Sequence, residues 1–550
     1  MEMSRIQQQT KAMIDGLKTV CTNYGLGNAS SEYKIITEVF LYKFLNDKFL
    51  FEIRRDKPEL SSLTSAEAEA HIKDLADDEY EALRLVVGAD TAWMKKEHLL
   101  SSLFELTNTD GFHSRFDETL IGIANENIDI FSVRTGGESK IRLFDPLSQF
   151  VLEVEKRDGF CKAIVERLAA FSFEQAFLEK YDFFATIFEY LIKDYNKDFG
   201  KYAEYYTPHV IASIIAKVMV PDGDSNVTVY DPAAGSGTLV LALAHEIGES
   251  NCTIYTQDIS QKSNEFLRLN LILNNLVHSL PNVVHDDTLL RPRHLNDQRN
   301  NIKTFDYIVS NPPFKMDFSD NRDTLDGDAY KNRFFAGVPK IPNKKKDGME
   351  IFLLFLQHII QSLGDTGKAA VVVPTGFLTS SRKIQNAIKE HLVKDNNWLR
   401  GVISMPSNIF ATTGTNVSIL FIDKVKADDK VILIDASKLG EKVKEDGKNQ
   451  KTVLRPEEVE QIISCFNCVE EKDDFSVEVT INDIKAKNLS FSAGQYFEVR
   501  IEYTEMSEEE FYSMVDGYRS ELRGLFAESK ELNDSLIAQL DLLDFVTGVS

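Results

Sequence analysis

From about residue 200 the chain alternates short β-branched runs with helical stretches, and that rhythm leaves few architectures open. Runs at residues 226–230, 252–256, 282–285, 305–310, 368–373 and 398–404 are apolar enough to be buried strands. Parallel neighbours need a long crossover, and the helical stretches between several runs can supply it. The expectation is an α/β domain with a largely parallel, Rossmann-like sheet. Residues 401–405 and 416–423 flank a glycine-bearing loop, which predicts an antiparallel pair.

Upstream the pattern is helical. Ile35, Ile36, Val39, Phe40, Phe44 and Leu45 recur at helical spacing behind Ser31 and Glu32, and residues 66–87 and 171–195 repeat the texture. This divides the chain into a helical N-terminal domain over 1–165, the α/β domain over 166–495 and a helical tail over 496–550. The tail is acidic and carries one stripe of Leu532, Leu536, Leu540 and Leu543, suited to its own chain or to a partner helix.

Acidic residues outnumber basic ones 86 to 62, for a net charge of −24. Phosphate contacts need Lys and Arg, so the surface as a whole is not built to coat nucleic acid. A grip on DNA would be local, at Arg291, Arg293 and Arg299 or at Lys344, Lys345 and Lys346, or would come from a partner. The five cysteines are scattered and odd in number, which suggests a reducing cytoplasm. Cys465 and Cys468 form a C-x-x-C with no second pair, so no metal site is expected. The first fifteen residues lack a signal-like apolar core. The apolar run near 351–360 is short and interrupted by Gln357 and His358, so no membrane span is expected either.

The first chemical signal follows the run at 226–230. Asp231 stands at the strand tip, then Gly235, Ser236 and Gly237 make a loop, and an apolar helix begins at Thr238. Ligands settle at the carboxyl ends of such strands. The third glycine of a dinucleotide loop is missing, and a strand-tip carboxylate repels phosphate and suits an amine-bearing ligand. A second strand ends in Asp258, 21 residues beyond Gly237, where an acid can receive ribose hydroxyls. A third ends in Asp286 and Asp287, either of which could accept from an adenine amino group; Asp287 is preferred. Three acids at successive strand ends, with no phosphate-binding lysine, point to S-adenosylmethionine rather than NAD or ATP.

The second signal is Asn311-Pro312-Pro313-Phe314, directly after the strand at 305–310. The prolines stiffen the loop and remove two donors. The Asn311 side-chain oxygen and the Pro312 carbonyl are left as acceptors beside the Phe314 ring. That set suits a planar ring with an exocyclic amine. A cytosine-C5 mechanism would use a cysteine after proline, and none of the five cysteines follows one.

Asp-Pro-Ala-Ala-Gly-Ser-Gly followed by Asn-Pro-Pro-Phe resembles the amino-methylating DNA methyltransferases. Glu204, Tyr205, Tyr206, Thr207, Pro208 and His209 resemble the cofactor motif this group carries upstream of the glycine loop. Together with the helical front and tail, the motif order is similar to the modification subunit of Type I restriction–modification systems. The resemblance implies an adenine-N6 methyltransferase acting on double-stranded DNA with S-adenosylmethionine. Its cofactor contacts would be Glu204 to His209, Asp231, Gly235 to Thr238, Asp258 and Asp287, and Asn311 to Phe314 would hold a flipped adenine. It also implies a separate specificity subunit that reads the DNA, flanked by two copies of this chain, and a restriction subunit. The same tetrapeptide chemistry would serve an enzyme methylating RNA guanine N2 or a protein glutamine amide.

Overall fold

A computed structural model describes residues 5–27, 30–88, 91–131, 133–135, 140–178, 187, 190, 207–221, 223–410, 415–445, 449–497 and 507–544. The chain forms two compact units, Met1–Phe497 and Glu498–Ser550. The strands of the first are β1 (Val133–Thr135), β2 (Lys140–Ile141), β3 (Val227–Asp231), β4 (Cys252–Asp258), β5 (Val283–His285), β6 (Phe305–Ser310), β7 (Leu363–Pro374), β8 (Leu399–Ser404), β9 (Val417–Asp423), β10 (Lys430–Asp435), β11 (Glu441–Glu445), β12 (Asn449–Val453) and β13 (Ser476–Thr480).

Eleven of these form one sheet in the order β13-β10-β8-β9-β7-β6-β3-β4-β5-β1-β2. The run β5-β4-β3-β6-β7 is wholly parallel, and β9 enters antiparallel between β7 and β8. The expected antiparallel pair is therefore β8 with β9, in register Ile403 to Ile419. After β3 the chain moves to β4 and β5 on one side, then returns to β6 and β7 on the other. The topological switch lies between β3 and β6, where a crevice opens at the strand tips.

Side chains alternate across the sheet. Val229, Val309, Ala370 and Val372 join one core; Tyr230, Ile308, Ala369 and Val371 join the core on the opposite face. The helix Thr238–Ile247 is buried on nearly every side, because it lies against the sheet beneath the helix His209–Met219. Seven of ten residues in the first helix are buried apolar groups, which is why its sequence lacks a polar face.

The N-terminal region is helical where expected, with helices Arg5–Asn23, Ser30–Asp56, Phe112–Glu126 and Arg157–Ala169. Its core is continuous with one face of the sheet. It also contributes β1 and β2, which sequence patterning missed: β1 extends the sheet beyond β5 in parallel, with Arg134 opposite Val284. Polar contacts tie the same region to the helix Gln261–Leu273. The Tyr33 hydroxyl donates to Glu265, and Arg268 donates to the Arg142 carbonyl at 2.8 Å. Of the stretch expected to be helical at 171–195, residues 171–175 are not helical and Ala176–Leu178 makes one tight turn, while most of the rest lies outside the described residues.

Among its described residues the second unit is one long helix, Glu508–Asp544, as the tail pattern suggested. Leu532, Leu536 and Leu540 are exposed along it. Among the described residues no helix is long and apolar enough to cross a membrane.

Candidate functional site

The crevice is built first by the turn after β3. Gly235 and Gly237 both have positive φ, 53° and 85°. At Gly237 a Cβ would also sit 2.2 Å from Leu267 Cδ1, so only glycine fits there. Asn270 closes the turn from behind, donating to the Ser236 carbonyl at 3.1 Å. Gly237 then starts the helix Thr238–Ile247, whose first residues Thr238 and Leu239 line the crevice.

Three strand-tip acids surround this turn, each held differently. Asp231 is 1% exposed and accepts from the Ala233 amide at 2.9 Å and the Ser310 hydroxyl at 2.8 Å. Burial lifts its carboxyl to about 7, against the pull of those two hydrogen bonds. Asp258 accepts from Gly235 N at 2.9 Å and Ser260 N at 2.8 Å, which joins the β4 tip to the glycine turn. Burial raises its carboxyl too.

Asp286 and Asp287 part company. Asp286 is gripped by Arg291 at 2.7 Å and Arg293 at 2.6 Å. Burial would raise its carboxyl, but those arginine hydrogen bonds outweigh it and bring the group down to about 2. Asp287 instead accepts the backbone amides of Leu289 and Leu290 through Oδ1, at 2.9 and 3.0 Å. Its Oδ2 makes no hydrogen bond among the described residues. Arg291 and Arg293, read in the sequence as a grip for phosphate, are thus occupied by Asp286.

The tetrapeptide follows β6 on the other side of the switch. Ser310 joins the tip of β6 to Asp231. Asn311 is 7% exposed, and its Nδ2 donates to Thr207 Oγ1 at 3.2 Å. This leaves Oδ1 as an acceptor. Among the described residues no hydrogen bond reaches the Pro312 carbonyl. Phe314 is half-buried and meets Phe352 edge to face, centroids 6.4 Å apart and planes at 81°.

One narrow cleft is lined by Thr207, Asp231, Ala233, Ala234, Ser236, Thr238, Leu239 and Asn311. It brings together residues from the upstream motif, the glycine turn and the tetrapeptide. Among the described residues no lysine or arginine lines it. Pro208 caps the helix that begins at His209. Glu204, Tyr205 and Tyr206 lie outside the described residues.

Sequence reading missed several residues here. Ser310 and Asn270 look like ordinary strand and helix residues until the fold places them against Asp231 and Ser236. Ile259 is 61% exposed directly after Asp258, an apolar side chain left open at a strand tip. Arg333 is buried behind Asp287, donating to the carbonyls of Thr288 and Leu289 while it stacks on Phe334. Only Ile259 left a signal in the sequence, as an isoleucine where the chain leaves the sheet.

The segment after Lys344, Lys345 and Lys346 meets the loop after the tetrapeptide, where Met316 N donates to Met349 O at 3.1 Å. All three are exposed and carry no ion pair among the described residues. Cys465 sits in the helix Pro456–Asn467 and Cys468 caps it. Among the described residues no three metal-ligating side chains cluster.

Known proteins share this sequence pattern and fold. The methylase subunit of the Type I restriction enzyme MpnII from Mycoplasma pneumoniae is 30% identical over 371 residues, 66% of each chain. The MjaIX methylase subunit from Methanocaldococcus jannaschii is 26% identical over 383 residues, covering 66% of this chain and 64% of its own. The chain therefore spans just under two thirds of the length of these curated relatives. The crystal structure of the type I restriction-modification system methyltransferase subunit from Streptococcus thermophilus superposes with a TM-score of 0.67 at 20% identity. That match covers 90% of this chain and all of the other, and establishes a shared fold. The N-6 DNA methylase family model matches residues 179–505, which hold the glycine turn, the three strand-tip acids and the tetrapeptide, and the chain belongs to that family.

Proposed function

We propose that this chain is the catalytic subunit of a Type I restriction–modification methyltransferase, methylating adenine N6 in double-stranded DNA. The observation that carries the reading is the single cleft in which Asn311, Asp231 and the glycine turn meet. Its residues suit S-adenosylmethionine. Among the described residues the lining holds a carboxylate and no phosphate-binding cation, which fits a ligand bearing an α-ammonium group. The glycines give the turn its positive φ, which sets Ser236 and Thr238 on the cleft wall.

In this reading Asp231 and the turn from Gly235 to Thr238 hold the amino acid end, with Thr207, Pro208 and His209 closing it. Asp258 takes the ribose hydroxyls, Ile259 covers one adenine face, and Asp287 Oδ2 accepts from the adenine amine. Glu204, Tyr205 and Tyr206 belong to the same motif by sequence. When bound, the cofactor would supply a methyl activated by its sulfonium sulfur and leave as S-adenosylhomocysteine, and the proton released from the methylated amine would pass to solvent.

The chain's own residues prepare the acceptor. Asn311 Oδ1 and the Pro312 carbonyl accept the two amine protons, which draws the nitrogen lone pair out of the ring. Pro313 keeps that corner stiff. Phe314 stacks on the base, worth about 1–3 kcal/mol. Flipping the adenine costs a few kcal/mol, and backbone contacts beside the site must offset it. Lys344, Lys345 and Lys346 offer such contacts, ahead of the segment that meets the loop after the tetrapeptide. Sequence readout and the remaining grip come from a separate specificity subunit flanked by two copies of this chain, and a restriction subunit completes the cytoplasmic assembly.

The test uses labelled S-adenosylmethionine and the chain purified with its DNA-reading partner. Label should appear at adenine N6 of duplex DNA. Label in RNA or in a protein amide would reject the reading. Asn311→Ala should abolish transfer and leave cofactor affinity nearly intact; parallel loss of both would contradict the assigned roles.

A further inference from the structure

The hydrogen bond between Asn311 and Thr207 crosses 104 residues of sequence and joins the two motifs flanking the cleft. A carboxamide is nearly symmetric in shape, so packing alone selects poorly between its two orientations. Its electronics are opposite. Oδ1 turned towards an amine accepts a proton; Nδ2 turned there sets donor against donor. The incoming amine itself favours Oδ1, but the amide plane must first be held where Oδ1 can reach that amine.

Thr207 is placed to do so. It is 5% exposed and Asn311 is 7% exposed, so water has little access to replace the bond. Thr207 precedes Pro208, which restricts its backbone to extended conformations. Pro208 in turn caps the helix His209–Met219, anchored through buried Ile211, Ala212, Ile214 and Ile215. The hydroxyl is therefore fixed to a rigid element and not to a loose loop. On the other side Ser310, one residue before Asn311, is tied to Asp231 at 2.8 Å. Backbone and amide of Asn311 are thus held by separate contacts.

Building on the methyltransferase reading, we infer that Thr207 is a positioning residue for the transfer step: its hydroxyl oxygen engages Asn311 Nδ2 and keeps Oδ1 aimed at the incoming amine. This is distinct from a contact to the cofactor, which the same motif also suggests. The two roles separate experimentally. Thr207→Val keeps the shape and removes the acceptor; Thr207→Ser keeps the acceptor.

The experiment measures steady-state methyl transfer by the chain with its DNA-reading partner. It also measures calorimetric binding of S-adenosylhomocysteine to the chain alone. Thr207→Val should lower kcat by about 10- to 100-fold at saturating cofactor, the scale of a misplaced reacting group. Thr207 also lines the cofactor cleft, so KM for S-adenosylmethionine and Kd for S-adenosylhomocysteine should rise, but by clearly less than the loss in kcat. Thr207→Ser should recover most of the lost kcat. The inference is overturned if Thr207→Val keeps wild-type kcat, if its loss appears wholly as weaker cofactor binding, or if Thr207→Ser is as impaired as Thr207→Val. A wild-type complex that binds S-adenosylhomocysteine and methylates no DNA would instead sink the methyltransferase reading on which it rests.

Discussion

At the scale of single residues, the site depends on where protons sit. Asp231 is a buried acid lifted to about 7 by burial. Its proton is therefore retained on folding, so the stability it contributes is present at low pH and is lost as pH rises through about 7. A cationic ligand reverses the preference, because it favours the ionised form. Binding of S-adenosylhomocysteine, whose amine stays protonated, should tighten between pH 6 and pH 8. Asp231→Asn should flatten that dependence; the same pH slope in the variant would remove Asp231 from the cofactor's amino group. Ser310→Ala withdraws a donor from the same buried carboxylate. It should cost about 1–3 kcal/mol of stability, read from urea midpoints at pH 7.5.

At the scale of elements, the glycine turn and the loop after β5 set the crevice. Gly237→Ala adds a Cβ where φ is 85° and Leu267 is 2.2 Å away. The expected loss is about 1–3 kcal/mol of stability, with weakened cofactor binding. A thermal midpoint equal to wild type would show that the turn relaxes freely. The loop after β5 uses its two acids for different work. Asp286 anchors Arg291 and Arg293, while Asp287 caps the turn through Oδ1, and in the proposed reading its other oxygen serves the cofactor. Asp287→Ala should therefore weaken S-adenosylhomocysteine binding more than Asp286→Ala, and Asp286→Ala should lower the thermal midpoint more. The reverse ranking in calorimetry and melting would exchange their roles.

At the scale of the whole molecule, an acidic chain is proposed to act on a polyanion. Its basic groups near the tetrapeptide are few, so affinity for DNA must come largely from a partner. The long helix Glu508–Asp544, with Leu532, Leu536 and Leu540 exposed, offers an apolar seam for one. Removing residues 529–550 should weaken co-purification with the DNA-reading subunit and leave S-adenosylhomocysteine binding unchanged. Unaltered co-purification would exclude the tail from that interface. The N-terminal helices share a core with one face of the sheet and hold the helix Gln261–Leu273 through Glu265 and Arg268. That helix also carries Asn270 and Leu267, which back the glycine turn. The helical front is thus a support for the crevice as well as a separate layer.

What the sequence by itself determined was local: the runs that became β3 to β9, the glycine turn, the acids at strand tips, and a proline-locked corner rich in acceptors. These are legible because composition and spacing of neighbouring residues fix strand ends, turns and missing donors. The tertiary structure alone decided the rest. The order of strands, the joining of β1 to β5, the bonds from Ser310 to Asp231 and from Thr207 to Asn311, and the division of labour between Asp286 and Asp287 all depend on segments far apart in the chain. Burial and hydrogen-bond partners are properties of those meetings, and no single stretch of residues carries them.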